Sequence, residues 1–183
     1  MAKKTYAQME FDSQEEIDFY WWCEEALDNE LIHYFFTSAS LGNYVLLDKQ
    51  TMEVEGKKKF CFHGLSYTPD FNVSSDTPFF LEKEVSGKRY IIDIKGTFSK
   101  YNDEAKFSII RKLMFYFHGV YVHKVVPEKL FLKTWVPEKC RYSPTGKLRR
   151  KYKGCKTISE YMEAKKKCQK DKRNTTKLSH TQT

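Results

Sequence analysis

Asp93 and Lys95 stand two residues apart in the run Arg89-Tyr90-Ile91-Ile92-Asp93-Ile94-Lys95, which Gly96 ends. The isoleucines predict a largely buried strand, and a spacing of two puts the carboxylate and the ammonium on one face of it. Each buried charge costs several kcal/mol of desolvation unless it is paired or bound to a metal. Asp70 follows Pro69, whose missing amide favours an edge, a bend or a bulge and turns the acid out of a regular ladder. The 23 residues from Asp70 to Asp93 leave room for the chain to turn and run back, so the two acids can converge. Glu16 is the third acid, with Glu15 beside it as the alternative on the same turn. Converging carboxylates form an oxygen-rich site suited to Mg2+, with Mn2+ as a substitute, and magnesium is typically held by one or two carboxylates plus a phosphate. Such an ion activates water and offsets charge on an attacked phosphate, and a neighbouring lysine assists. Read singly, Glu16 is a helix cap, Asp70 a turn acid, and Asp93 with Lys95 an ion pair.

The elements that must position these residues are legible in outline. Ser13 and Glu16 have capping-box spacing, and Ile17, Tyr20, Trp21 and Leu27 follow at helical intervals, predicting a helix over 13–29. Short apolar runs at 31–36 and 44–47 read as strands. Residues 52–59 are charged, a loop or an exposed hairpin, and two β-rich pieces flank Gly64. A strand over 89–95 precedes a second helix, which Asp103 can cap and Gly119 ends. Phe107, Ile110, Leu113, Met114 and Phe117 share one face of that helix. A strand over 120–126 stops at Pro127. The order helix, strands, helix, strand predicts an α/β (α+β) domain with one mixed sheet flanked by helices.

Hydrophobic residues make up 40% of the 183-residue chain and aromatics 16%. That supplies a core and excludes a wholly disordered chain. No apolar run is long enough for a membrane helix, so no membrane partner is expected. The first residues turn polar and acidic at once, unlike a signal peptide. Five cysteines without a close pair point to a reducing cytoplasm. Cys140, Cys155 and Cys168 lack the paired spacing of a zinc site, and Cys23 and Cys61 sit in apolar settings that suit a core. No glycine-rich phosphate loop is present.

Charge is unevenly spread. From Arg141 onward there are 14 Lys/Arg against 3 Asp/Glu, whereas the first 140 residues hold 18 against 21. A domain over 1–139 is thus followed by a basic extension over 140–183, in which Ile158–Cys168 reads as a short helix and the last ten residues as disordered. The extension suits a polyanion, and Lys147, Arg149, Arg150, Lys151 and Lys153, interleaved with Leu148 and Tyr152, are its candidate nucleic-acid contacts. Lys106, Arg111 and Lys112 on the second helix are further candidates, or a solvated helix face. Lys100 and Tyr101 could also touch nucleic acid, though loop residues of these types need no such role.

The combination Ser13-Gln14-Glu15-Glu16, Tyr67-Thr68-Pro69-Asp70-Phe71 and Asp93-Ile94-Lys95-Gly96 resembles the PD-(D/E)xK nuclease superfamily. Within it, the chain looks like the phage endonuclease I group of Holliday junction-resolving enzymes and related small phage nucleases. The resemblance covers about residues 11–125. It implies a restriction-endonuclease-like αβββαβ core, with Glu16, Asp70 and Asp93 around a Mg2+ ion and Lys95 completing the catalytic set. It also implies duplex or branched DNA as partner, and it suggests a homodimer. The same residues would serve an endonuclease acting on linear, nicked or single-stranded DNA. A non-catalytic DNA-binding protein of this fold is the rival class.

Overall fold

Ser13 begins the first helix by offering its hydroxyl to the amide of Glu16 at 3.2 Å. In the computed structural model, which describes residues 4–6, 9–81, 87–97, 101–143 and 145–179, that helix, α1 (Gln14–Asp28), follows a small hairpin of β1 (Lys4–Tyr6) and β2 (Met9–Phe11). The hairpin is absent from the sequence reading because three-residue strands carry too little pattern. Then come β3 (Tyr34–Thr37), β4 (Tyr44–Leu47), β5 (Gln50–Val54), β6 (Lys57–Phe62), β7 (Leu65–Tyr67), β8 (Phe71–Ser74) and β9 (Arg89–Ile94). The helix α2 (Tyr101–His118) and the strand β10 (Val122–Val125) follow. Because α2 opens at Tyr101, Asp103 lies inside its first turn rather than before it.

The central sheet has the order β10-β9-β8-β3. β3, β8 and β9 run antiparallel in turn, and β10 lies parallel to β9 after the α2 crossover. The expected mixed sheet flanked by helices is therefore present. Alternation along β9 divides the core in two. Tyr90 and Ile92 face α1 with Phe71 and Val73, and Phe19 meets Phe71 edge-on at 4.9 Å. Ile91 faces the other way, into a cluster of Leu46, Tyr67, Phe107, Met114 and Val122 beneath α2. Asp93 lies on that second face.

Between β3 and β8 the chain makes a long excursion. β4 pairs with β7, and beyond them β5 pairs with β6 as a separate ribbon. Cys61 is the extra residue at a bulge where the pairing shifts from Gln50–Phe62 to Thr51–Phe60. It is exposed, not in the core, like every other residue of β6. Cys23, by contrast, is fully buried.

The chain divides into two compact units, Met1–Pro127 and Glu128–Thr183. The division falls earlier than residue 139 because Leu130, Phe131, Trp135, Val136 and Cys140 are buried with Tyr152 and belong to the second unit. That unit holds α3 (Pro127–Lys133, whose first residue precedes the division), α4 (Glu138–Arg141) and α5 (Ile158–Ser179). Phe131 packs on Tyr152 at 5.8 Å and Trp135 on Tyr161 at 5.1 Å. α5 continues to Ser179, so the disorder expected from residue 174 is replaced by helix over 174–179. No glycine or proline interrupts the segment. The expectation for 180–183 lies outside the described residues. Among the described residues, no helix is long and apolar enough to cross a membrane.

Candidate active site

The pairing of β8 with β9 assembles the site. Phe71 lies opposite Ile92, so one step outward sets Asp70 opposite Asp93, and opposed residues project from the same face. Pro69 ends the ladder there and frees Asp70 to turn inward. Its Oδ2 accepts the amide of Ile94 at 2.6 Å. Asp93, 4% exposed, accepts the Tyr67 hydroxyl on Oδ1 at 2.9 Å and holds the Lys95 ammonium on Oδ2. Lys95 Nζ also lies over the ring of Phe107, 5.6 Å from its centroid.

Glu16 reaches the same region from the first turn of α1. Its Oε2 accepts the amide of Asp12 at 3.0 Å and its Oε1 the hydroxyl of Ser13 at 2.9 Å. This is a capping arrangement in which the return bond goes to Asp12, one residue before the usual cap position. Glu15 turns toward the loop after β9, and a Cβ on Gly96 would stand 3.4 Å from its Oε1. Both helix acids thus border the strand end, and Glu16 is the one whose charge is felt by Asp70 and Lys95.

The electrostatics record this crowding. Burial pushes the Asp70 carboxyl from 3.8 up to about 8, helped by the negative charges of Asp93 and Glu16 and opposed by the Ile94 amide and Lys95. Burial also raises Glu16, against the bonds from Asp12 and Ser13. Burial and the charges of Asp93 and Asp70 push the Tyr67 hydroxyl far above its ordinary range, so it stays a donor to Asp93. Among the described residues, no three acidic, histidine or cysteine side chains are gathered tightly enough to hold an ion as a set. The pair Asp70 and Asp93 nonetheless fits a hard divalent cation in kind. It offers carboxylate oxygens from two opposed positions at the end of paired strands.

The expected cationic contacts fall into two groups. On α2, Lys106 and Lys112 are exposed. Arg111 is partly buried, with its guanidinium 5.3 Å from the ring centroids of both Phe107 and Tyr121 and a 3.2 Å bond to the Tyr121 hydroxyl. Lys95 and Arg111 therefore share the Phe107 ring. In the second unit, Lys147, Lys153 and Arg150 are exposed and Arg149 is partly buried. Lys151 bonds Glu128 at 2.6 Å. These residues sit on folded backbone: Tyr142 bridges Leu148, the Arg149 amide bonds the Arg141 carbonyl, and Arg150–Tyr152 make a helical turn anchored by buried Tyr152. Lys100 lies outside the described residues, and only the backbone of Tyr101 is described.

Two features lay outside the sequence reading. Tyr67 orients Asp93, and the only signal for it is that a buried tyrosine needs a partner for its hydroxyl. Lys124 of β10 stands in register beside Asp93 and pairs with Glu104 of α2. A parallel register of this kind leaves no mark in local spacing. In comparisons with known proteins, no family model, no curated protein and no solved structure matches the chain.

Proposed function

We propose that the chain is a Mg2+-dependent DNA endonuclease of the PD-(D/E)xK type, with α1, β3, β8, β9, α2 and β10 as a restriction-endonuclease-like core. The observation that carries this reading is the opposition of Asp70 and Asp93 at the end of β8 and β9, with Lys95 on Asp93 and the charge of Glu16 acting on the pair. A solvated acid or a decorative ion pair has no need of two carboxylates forced together. Asp70 and Asp93 would hold the magnesium, and Glu16 would act on it through water. Bound there, the ion would supply charge stabilisation at a phosphate and a nucleophilic water at neutral pH.

The chain's own residues do the positioning. Tyr67 keeps its proton and fixes one oxygen of Asp93, while Lys95 fixes the other. Phe107 holds the Lys95 ammonium beside the carboxylates, where it offsets negative charge building on a bound phosphate. The basic residues of α2 and of the second unit supply affinity for the DNA backbone, which positions without specifying sequence. Branched, Holliday-junction-like DNA is the substrate we favour, cut by a homodimer that presents two sites to paired strands.

The test is cleavage of four-way junction, flap, linear duplex and single-stranded DNA with Mg2+, Mn2+ or EDTA. Activity is expected only with metal and highest on the junction. Asp93→Asn and Lys95→Ala are each expected to lower it by a hundredfold or more, on the order seen when a transition-state contact is removed. Binding without cutting under every metal condition would place the chain among non-catalytic DNA-binding proteins.

A further inference from the structure

The β5–β6 ribbon buries almost none of its side chains. Every residue of β6 is exposed, and every residue of β5 except partly buried Val54. Met52, Phe60 and Phe62 lie 55%, 52% and 45% open to solvent. An isolated two-stranded hairpin is marginal in water, so this one takes its order from its ends. Glu55 and Gly56 both have positive φ, at 54° and 71°, which makes the tight turn whose twist matches two antiparallel strands. At the other end Gly64 lets the chain pass so close that a Cβ would stand 3.0 Å from the Leu47 carbonyl and 3.2 Å from the Lys49 amide. Leu46 and Tyr67, on the β4–β7 pair below, are buried under α2. The ribbon is a protrusion clamped at its base.

That base leads straight into the candidate site. Tyr67, the last residue of β7, donates to Asp93, and Asp70 follows three residues later. The exposed part carries the consecutive cations Lys57, Lys58 and Lys59. The register sets Lys57 opposite Val54 and Lys59 opposite Met52, so one face combines cations with apolar groups and has no acid. Lys58 faces Glu53 on the other side, where Lys49 lies over the ring of Phe60 at 5.9 Å. Lysines along a strand edge discourage pairing with a protein strand, whereas they complement a phosphate backbone.

We propose that the β5–β6 ribbon is a DNA-contacting arm that enters the major groove of the duplex beside the cleavage site. The inference rests on the nuclease reading above. Size agrees: the major groove, about 12 Å wide and 8.5 Å deep, admits a two-stranded ribbon. The five steps from Gln50 to Glu55, at about 3.3 Å each, give a reach of roughly 16 Å. Lys57 and Lys59 lie against phosphates at the groove's rim, and Phe62, on the same face, shields the contact nearer the base.

The experiment uses the full chain carrying Asp93→Asn, which is expected to hold DNA without cutting it, with and without Lys57→Ala, Lys58→Ala and Lys59→Ala together. Binding to a duplex and to a junction is measured across salt concentrations, and dimethyl sulfate protection reports guanine N7 in the major groove. Loss of two to three phosphate contacts lowers the log–log salt slope by about 2 to 3 and weakens binding by roughly fivefold per contact near 0.15 M salt. Guanine protection on the arm's side of the site is lost with it, and the melting temperature is unchanged. A second variant, in which Asn-Gly replaces residues 50–62, gives the same loss without relying on side-chain charge. An unchanged slope and unchanged protection in both variants would overturn the arm while leaving the nuclease reading intact. Intact DNA binding and cutting, when the lysines are replaced in the wild-type background, would overturn it equally. If the unaltered chain neither binds nor cuts DNA, the nuclease reading itself fails, which is a separate result.

Discussion

Asp70 carries the clearest pH signature in the molecule. In an unfolded chain its carboxyl loses its proton near 3.8, while in the folded protein burial and neighbouring acids hold that proton up to about 8. Between those limits the native state binds the extra proton, so stability falls as pH rises from about 4 to about 8 and is level above that. Asp70→Asn is expected to flatten this slope and to raise the melting temperature at pH 8.5 more than at pH 5, as read by calorimetry. Added Mg2+ at pH 7 is expected to release a proton in weakly buffered solution and to raise the melting temperature of the wild type only. Glu16 separates two roles in one side chain. Glu16→Gln keeps one acceptor oxygen for the Asp12 amide and turns an NH2 donor toward the Ser13 hydroxyl, whereas Glu16→Ala loses the cap at about 1 kcal/mol in urea unfolding. Cleavage is expected to fall by tenfold or more in both; recovery in Gln would reduce Glu16 to a cap. Asp70, Asp93 and Lys95 were legible in the sequence because charge in an apolar strand and an acid after proline need a reason. Tyr67 was not, because its partner lies 26 residues away and only the register brings them together.

The elements were readable where two signals coincided. α1 combined a cap with a periodic apolar face, and α2 a periodic face with a terminal glycine. α3 and α4, seven and four residues long and opened around Pro127 and Pro137, gave no periodicity to find. The second half of α5 has a polar composition that reads as disorder, yet it lacks any breaker and continues a helix already begun. Lys170, Lys172, Arg173 and Lys177 fall within that stretch. Replacing all four with alanine is expected to preserve or raise helicity by circular dichroism, since alanine is the better helix former. It is also expected to lower the salt slope of DNA binding by about 3 to 4. Unchanged binding would confine the second unit's DNA contact to the segment between Lys147 and Lys153.

On the scale of the whole molecule, charge follows the structural division. Glu128–Thr183 holds 17 basic and 5 acidic residues, and Met1–Pro127 holds 15 and 19. The unit with the carboxylate site is net acidic and the other is strongly basic. On the nuclease reading, the basic unit adds backbone affinity to a chain whose chemistry lies in the acidic one. Neutralising Lys147, Arg149, Arg150 and Lys153 is expected to raise KM steeply with salt while kcat, measured at saturating DNA, changes less than about threefold. A matched fall in kcat would instead bring those side chains to the reacting phosphate. Composition revealed the asymmetry, but not that the basic part has a core of its own, since Trp135, Val136 and Cys140 lie before the region where the charge changes.

The match of Phe71 to Ile92 has a consequence for how the protein comes into being. A slip of one residue between β8 and β9 would turn Asp93 into the oily layer under α1 and separate it from Asp70. A chain with these strands out of register therefore keeps its two acids apart, and a polypeptide still emerging from the ribosome has no paired carboxylates until this hairpin has locked.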